Sequence, residues 1–255
     1  MIITSDAIIL RAVRYGDTSK IVTALTREHG RVAVIAKGAL GSKPRFGAAL
    51  EPMAHSTLVY YFKESRDVQM LSQADVIEPF RRLQSDGRRL VLGFAVIEYA
   101  YMALHAGEHH PELYSLLLRT LRGIDTSEGQ PGNMLLRYLV DFSDEMGFSL
   151  DMDHCARCRI DLTDERAISG PMSLALADGA FLCTPCARSV MGVELAPRLF
   201  KALRWLKSCE PERLEALSLT PVDLQAALRI LHQYIASHIQ EMRAIRSLEL
   251  LDALT

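Results

Sequence analysis

Cys155-Ala-Arg-Cys158 and Cys183-Thr-Pro-Cys186 form two Cys-x-x-Cys pairs, separated by the 24 residues from 159 to 182. Four thiolates at this spacing can occupy the corners of a tetrahedron while the intervening residues fold as a small ribbon, so the pattern predicts a zinc knuckle. The alternatives are structural disulfides or a redox dithiol, and neither suits a chain without a secretory signal. Four cysteine ligands leave no coordination position for an activated water. We therefore expect a structural zinc and not a catalytic one.

The composition is that of an ordinary soluble globular protein. Of its 255 residues, 49% are hydrophobic and 24% are charged. The chain is long enough for two or three small domains. The segment from Met1 to Asp6 has neither a basic region nor a long apolar core, so we expect no signal or transit peptide and a cytoplasmic location. The most apolar long run, Leu90 to Gly107, is interrupted by Glu98 and His105 and predicts a buried helix.

Charge is distributed unevenly along the chain. The first 50 residues hold eight basic and three acidic side chains, a balance of +5, so with a net charge of -2 the remaining 205 residues carry -7. A basic N-terminal surface can bind an anionic polymer, because neutralised phosphates release their condensed counterions. A solvated face with a chance excess of arginine is the alternative that composition leaves open.

Short apolar runs separated by polar or glycine-containing turns predict strands over the first 80 residues. Glu28-His29-Gly30 fits a hairpin turn in which Gly30 takes a positive φ angle. Five short strands suggest a small barrel of the OB-fold type, a fold that often binds single-stranded nucleic acid. The candidate strands are Ala7 to Val13, Lys20 to Thr26, Arg31 to Lys37, His55 to Phe62 and Gln69 to Val76.

The predicted third and fourth strands are joined by a basic loop, Lys37-Gly-Ala-Leu-Gly-Ser-Lys-Pro-Arg-Phe-Gly47. Its glycines let the backbone approach a partner closely, its cations Lys37, Lys43 and Arg45 supply charge, and Phe46 offers a stacking face. Gly41-Ser-Lys43 has the wrong order for the Gly-Lys-Ser/Thr ending of a P-loop, which argues against a nucleotide-phosphate site of that kind. Taken alone, the segment also fits an ordinary mobile loop.

From Ser85 onward the apolar period becomes helical. The pattern predicts an α+β chain in which an N-terminal OB-fold β-barrel is followed by a helical bundle, and a four-cysteine zinc ribbon interrupts that bundle. We expect the long apolar repeat from Val222 to Arg246 to be a helical run that helps to complete the bundle. The expected domains are the barrel at 1–80, the first half of the helical domain at 81–147, the zinc ribbon at 148–192 and the second half of the helical domain at 193–255.

The motifs of this chain follow one another in a specific order. Gly16-Asp-Thr-Ser-Lys-Ile-Val-Thr-Ala-Leu-Thr26 is followed by Gly30-Arg-Val-Ala-Val-Ile-Ala-Lys-Gly38, by Leu50-Glu-Pro52 and by the two Cys-x-x-Cys pairs. In these motifs, and over essentially its whole length, the chain resembles the RecO family of bacterial DNA repair proteins. It departs from the family in the basic loop, where Leu40 and Gly41 interrupt what is usually a run of consecutive arginines.

The resemblance implies a non-catalytic mediator of homologous recombination that acts in the cytoplasm at the bacterial nucleoid. Such a protein binds single- and double-stranded DNA, anneals complementary strands, and with RecR helps to load RecA onto strands coated with single-stranded-DNA-binding protein. The expected metal ligands are Cys155, Cys158, Cys183 and Cys186. The expected DNA contacts are Arg14, Lys20, Lys37, Lys43, Arg45 and Phe46. Of the adjacent Tyr60 and Tyr61, at most one is expected to reach the DNA groove, because neighbouring strand residues point to opposite faces.

The family also implies an apolar pocket, edged by cations, for the acidic C-terminal tail of single-stranded-DNA-binding protein. Arg204 or Lys207 beside Trp205 is a candidate rim, with a solvated helix face as the alternative. Two other functions stay open: an RNA-binding or transcription-associated protein that uses the same barrel and ribbon, and a zinc hydrolase. The sequence lacks the His-Glu-x-x-His, Gly-x-Ser-x-Gly and P-loop motifs, which argues against an enzyme.

Overall fold

The computed structural model describes residues 1–41, 45–189 and 192–253. The chain divides into two compact units. The first unit holds Met1–Thr126 together with the C-terminal segment that starts at Ile245, and the second holds Ser127–Ala244. The predicted α+β class is confirmed, because a five-stranded barrel comes first, helices follow, and the four-cysteine cluster lies within the helical part.

The barrel is built from five strands, which are β1 (Ile2–Tyr15), β2 (Ser19–Thr26), β3 (Gly30–Ala36), β4 (His55–Tyr61) and β5 (Val68–Glu78). They close in the order β1-β2-β3-β5-β4. Neighbouring strands of the described barrel are antiparallel, except that β3 and β5 run parallel. This is the small barrel of the OB type that the strand pattern predicted.

The barrel core follows from the two-residue period of its strands. Val22 and Ala24 on β2 and Val34 on β3 point inward and are fully buried in one apolar cluster. The 3-10 helix Gly47–Leu50 adds two more buried side chains to that cluster. Strand β1 extends two residues beyond the predicted end, because its pairing with β2 continues to Tyr15.

Eight helices are described along the chain: α1 (Arg81–Ser85), α2 (Gly87–Ala103), α3 (Pro111–Thr126), α4 (Gly132–Glu145), α5 (Thr184–Ala187), α6 (Pro197–Ser208), α7 (Pro221–His238) and α8 (Arg246–Ala253). Helices α1, α2, α3 and α8 belong to the first unit. In α2 Leu92, Val96 and Tyr99 are at most 1% exposed, which confirms the buried helix predicted for this apolar run. No helix within the described residues is long and apolar enough to cross a membrane.

Helices α3 and α8 are fastened within the first unit by polar contacts. The hydroxyl of Tyr114 on α3 lies 3.0 Å from Nε2 of the buried His55, and Nδ1 of His55 lies 3.1 Å from a carboxylate oxygen of Glu78 on β5. The carboxylate of Glu98 on α2 accepts the N–H groups of Arg246 and Ser247 at 3.1 and 3.0 Å. Glu98 thereby caps the exposed amides at the start of α8.

The second unit packs α4 against α6 and α7. It also holds a three-stranded sheet of order β7-β6-β8, formed by β6 (Met172–Ala175), β7 (Ala180–Leu182) and β8 (Val193–Leu195). The helical run predicted from Val222 to Arg246 is wrong in its extent, because α7 ends at His238. The side chains of Ser237 and His238 bond to the Tyr234 carbonyl at 2.6 and 3.0 Å, which competes with the helical ladder. A 3-10 helix, Gln240–Ala244, then leads to α8.

Candidate nucleic-acid interface and metal centre

The register of the first three strands brings predicted DNA contacts to one end of the barrel. Arg14 on β1 lies opposite Lys20 on β2, and Lys20 lies opposite Ala36, the last residue of β3. Lys37 therefore follows at the same end. Arg14 and Lys37 are both exposed. Cations clustered in this way form an electrostatic footprint for a phosphate backbone.

Described residues of the basic loop contact this end of the barrel and each other. The N–H of Leu40 donates to the carbonyl of Thr18 in the β1–β2 turn at 2.8 Å, and the N–H of Arg45 donates to the carbonyl of Gly38 at 3.2 Å. The Arg45 side chain is exposed. We call the group formed by Arg14, Lys20, Lys37 and Arg45 the basic end of the barrel.

Two of the predicted contacts, Lys20 and Phe46, are partly buried. Lys20 makes a 2.8 Å ion pair with Glu51, and its side chain is only 17% exposed. Phe46 packs partly buried against the barrel core, and the Arg45 guanidinium lies 5.0 Å from its ring centre. Both side chains thus have protein neighbours that compete with a nucleic acid for them. Lys43 lies outside the described residues.

Two other basic residues of the first 50 are bound by helix α2. Arg31 donates to the carbonyl oxygens of Tyr101, at 3.0 Å, and Leu104, and its guanidinium lies 4.4 Å from the Tyr101 ring centre. Arg11 donates to the Tyr101 hydroxyl at 2.9 Å. A guanidinium at the C-terminal end of a helix satisfies carbonyl groups that have no partner in the helix. Part of the N-terminal positive charge therefore serves the fold.

The tyrosines of the barrel divide between core and surface. Tyr60 is fully buried, and burial raises the pKa of its hydroxyl to about 12. Tyr61 is 48% exposed, so the predicted opposite orientation of this pair is confirmed. Tyr15, beside Arg14, is 56% exposed and was missed because the predicted strand ended at Val13. Gly16 has a φ of 62° and starts the turn. A glycine at this position in the sequence could have indicated that the strand continues to Tyr15.

The four cysteines meet in the second unit. Their Sγ atoms all lie within 4.8 Å of one another. The first pair sits in a tight turn, in which the N–H of Cys155 donates to the carbonyl of Ile160 at 2.9 Å. The N–H of Ala156 donates to the carbonyl of Phe181 on β7 at 2.8 Å. Because β7 leads directly to Cys183, this bond places the second pair beside the first.

The donor set fits a tetrahedral metal ion. Burial raises the pKa of the Cys155 thiol, but hydrogen bonds from the N–H groups of Cys158, Cys183 and Arg157 outweigh it and lower the pKa to about 6. Burial raises the pKa of Cys183 to about 12. Metal binding favours the deprotonated form of every ligand, and four sulfur donors suit zinc. The four cysteines could therefore hold a metal ion.

Two of the three predicted rim residues line a depression on the second unit. Arg204 and Trp205 contribute to it, whereas Lys207 contacts Asp144 at 3.2 Å and is not part of its lining. The remaining lining residues are Thr163, Glu165, Ile168, Lys201 and Ser208. The depression thus combines an aromatic ring with two cations.

Comparison with known proteins covers both units. Family models described as "Recombination protein O N terminal" and "Recombination protein O C terminal" match residues 1–80 and 84–249. The DNA repair protein RecO of Chloroherpeton thalassium is 28% identical over 257 residues, which cover 100% of this chain and 99% of that protein. The protein of the same name from Geobacter metallireducens is 31% identical over 238 residues, 92% of this chain and 91% of that protein. The DNA repair protein RecO of Salinibacter ruber is 32% identical over 179 residues, which cover 70% of this chain and 66% of that protein.

The matches agree with the architecture that the residues build. The N-terminal family model ends at residue 80, two residues beyond β5, and the C-terminal model includes the four cysteines and helices α2 to α7. The resemblance noted in the N-terminal motifs and the cysteine pairs is therefore confirmed. This chain belongs to the RecO family of DNA repair and recombination proteins.

Proposed function

We propose that this chain is a recombination mediator that binds single- and double-stranded DNA and anneals complementary strands. With RecR it helps to load RecA onto strands coated with single-stranded-DNA-binding protein. The observation that carries the proposal is the basic end of the barrel, where Arg14 on β1 and Lys37, directly after β3, are both exposed and β2 lies between their strands. Family membership supplies the recombination context.

The basic end acts by electrostatic capture of the DNA backbone. Lysine and arginine side chains that neutralise phosphates release counterions, and this term does not depend on base sequence. Annealing needs such a sequence-independent contact, because the protein has to hold two strands of any sequence against their mutual repulsion. Arg14, Lys37 and Arg45 are the proposed principal contacts, and Lys43, which lies outside the described residues, is a further proposed contact. Lys20 contributes less, because Glu51 shares its charge.

The ribbon has a structural role in this proposal. Zinc held by four thiolates has a closed coordination sphere, so the metal stabilises the fold and activates no water. The ribbon is a short segment, and the ion supplies stability that so small a segment lacks. The proposed activity requires no covalent chemistry, and the proposed location is the cytoplasm at the nucleoid.

The depression beside Trp205 is the proposed contact for the tail of single-stranded-DNA-binding protein. The Trp205 ring can receive apolar tail residues, while Lys201 and Arg204 can pair with acidic ones. Lys201 already pairs with Glu165 at 2.9 Å, so an acidic tail has to displace that carboxylate.

A salt titration tests the DNA-binding part of the proposal. We expect Lys37→Ala to weaken binding to single strands of any sequence and to lower the slope of log affinity against log salt by about 0.7. Arg213→Ala, which removes an exposed arginine of the second unit, is the matched control and should leave the slope unchanged. A Lys37→Ala slope equal to that of the unaltered protein would refute the assignment. Tighter binding to RNA than to DNA would favour an RNA-binding function.

A further inference from the structure

Two separate parts of the second unit form the depression beside Trp205. Four of its described lining residues lie on helix α6. The other three, Thr163, Glu165 and Ile168, lie in the segment 159–170, which begins directly after Cys158. We call the segment 159–170 the ribbon wall. The depression is therefore built partly from the chain between the two cysteine pairs.

The start of the ribbon wall is bonded to the first cysteine pair. The N–H of Cys155 donates to the carbonyl of Ile160 at 2.9 Å, and the N–H of Leu162 donates to the carbonyl of Asp153 at 2.8 Å. The Leu162 side chain is fully buried, which anchors the wall at this point. The turn that holds the first pair thus also fixes the position of Leu162.

The end of the ribbon wall is bonded beside the second cysteine pair. Thr184 directly follows Cys183, and its N–H donates to the carbonyl of Ala167 at 3.0 Å. The Thr184 hydroxyl accepts the N–H of Gly170 at 3.0 Å and donates to the Gly170 carbonyl at 2.9 Å. Both ends of the wall are therefore bonded to residues that are, or lie within two residues of, the four cysteines. The position of the wall depends on the two pairs being held together.

Polar contacts join the ribbon wall to helix α6. The Arg204 guanidinium donates to the carbonyl of Leu162 at 2.6 Å, and Lys201 pairs with Glu165 at 2.9 Å. The Glu165 side chain is 84% exposed, and an exposed ion pair contributes little. Arg204 is partly buried, and its bond to an uncharged carbonyl does not cancel its positive charge. The wall thus orients one of the two cations that the depression offers to an acidic ligand.

We propose that the depression beside Trp205 is coupled to the four-cysteine centre, so that the chain binds an acidic peptide with apolar residues more tightly when the four cysteines hold zinc. The coupling rests on the proposed function, in which the depression receives such a peptide, and adds its regulation by metal. Metal binding stabilises the fold of the segment between the ligands, and the wall in that segment orients Arg204. Coupling between two sites is reciprocal, so the peptide should raise the affinity for zinc by the same factor.

Fluorescence anisotropy tests the coupling with the full chain and a labelled peptide that has the sequence of the tail of single-stranded-DNA-binding protein. The affinity of the zinc-loaded chain is compared with that of the chain after removal of metal by a chelator and dialysis. We expect metal removal to weaken peptide binding about five- to tenfold, the lower part of the range for coupled sites, and added zinc to restore it. In the reverse experiment, saturating peptide should raise the affinity for zinc, measured against a chelating dye, by the same factor.

Trp205 is the single tryptophan of the chain, so its fluorescence reports on the depression directly. Its ring is half-buried, and displacement of the ribbon wall would expose it further to water. We expect its emission maximum to move to longer wavelength when zinc is removed, while far-UV circular dichroism keeps its helical signal. Loss of most of the helical signal together with the affinity would mean general unfolding and would overturn a local coupling.

Two variants and their controls complete the test. Arg204→Ala should weaken peptide binding to the zinc-loaded chain at unchanged zinc content, and metal removal should then have little further effect. Arg213→Ala removes an exposed arginine outside the lining and should keep both the affinity and its dependence on zinc. If the zinc-loaded and metal-free chains bind the peptide equally, the coupling is refuted and the proposed tail contact stands. If the zinc-loaded chain does not bind the peptide at all, the proposed tail contact itself fails, and the coupling fails with it.

Discussion

Replacing Arg31 with methionine tests whether some positive charges of the first 50 residues stabilise the fold while others bind DNA. Arg31 donates to two carbonyl oxygens at the end of α2 and stacks on Tyr101 at 4.4 Å. A hydrogen bond from a charged donor contributes about 1.5 to 3 kcal/mol and a cation–π contact about 0.5 to 1 kcal/mol. Arg31 is partly exposed and methionine keeps some packing, so we expect a loss of about 2 kcal/mol in the free energy of unfolding.

Circular dichroism melts and oligodeoxythymidine titrations measure the two effects side by side. The melting temperature of Arg31→Met should fall by roughly 4 to 8 °C, while DNA affinity and its salt slope stay close to those of the unaltered protein. Lys37→Met is the matched control and should show the reverse: an unchanged melting temperature and a shallower salt slope. If Arg31→Met loses affinity as Lys37→Met does and keeps its melting temperature, the division of charges proposed here is wrong.

Three further variants test the fold and the metal centre. Gly30→Ala should cost about 2 to 3 kcal/mol in urea unfolding, because its φ is +66° and the new Cβ would lie 1.8 Å from the Glu108 carbonyl oxygen; an unchanged midpoint would contradict this. Hydrogen bonds from Arg122 hold the pKa of Glu78 below its ordinary value of 4.5, so Glu78 adds stability above that pH and loses it as the pH falls through the folded-state pKa. Glu78→Gln should therefore be less stable at neutral pH, and its difference from the unaltered protein should shrink in acid; a difference independent of pH would count against the contact. If the four cysteines hold zinc as proposed, Cys183→Ser should bind less zinc than the unaltered chain and should open the ribbon to proteases, whereas equal zinc content in the two proteins would refute the four-cysteine site.

Local patterns were enough to predict the barrel and the cysteine cluster. The strand prediction depended on alternation within each strand, and the buried Val22, Ala24 and Val34 show the same alternation in the structure. The Cys-x-x-Cys spacing constrains each pair directly, since a tight turn brings two sulfurs together whatever surrounds it. Gly30 was predicted to take a positive φ, and it does so at 66°.

Other features depend on contacts between distant parts of the chain. A charge count cannot distinguish Arg31, which α2 binds, from Lys37, which is exposed, because the distinction depends on a residue 70 positions away. The side chains of Ser237 and His238 bond to the Tyr234 carbonyl in the last turn of α7, and apolar periodicity does not register such contacts.

The measurement that tests the central claim most directly is the annealing of complementary strands coated with single-stranded-DNA-binding protein. The unaltered chain should accelerate annealing, and the Arg14→Ala, Lys37→Ala double variant should lose most of that acceleration at an unchanged melting temperature. Arg213→Ala should anneal as the unaltered chain does. No acceleration by the unaltered chain, or full acceleration by the double variant, would contradict a recombination mediator that works through the basic end of its barrel.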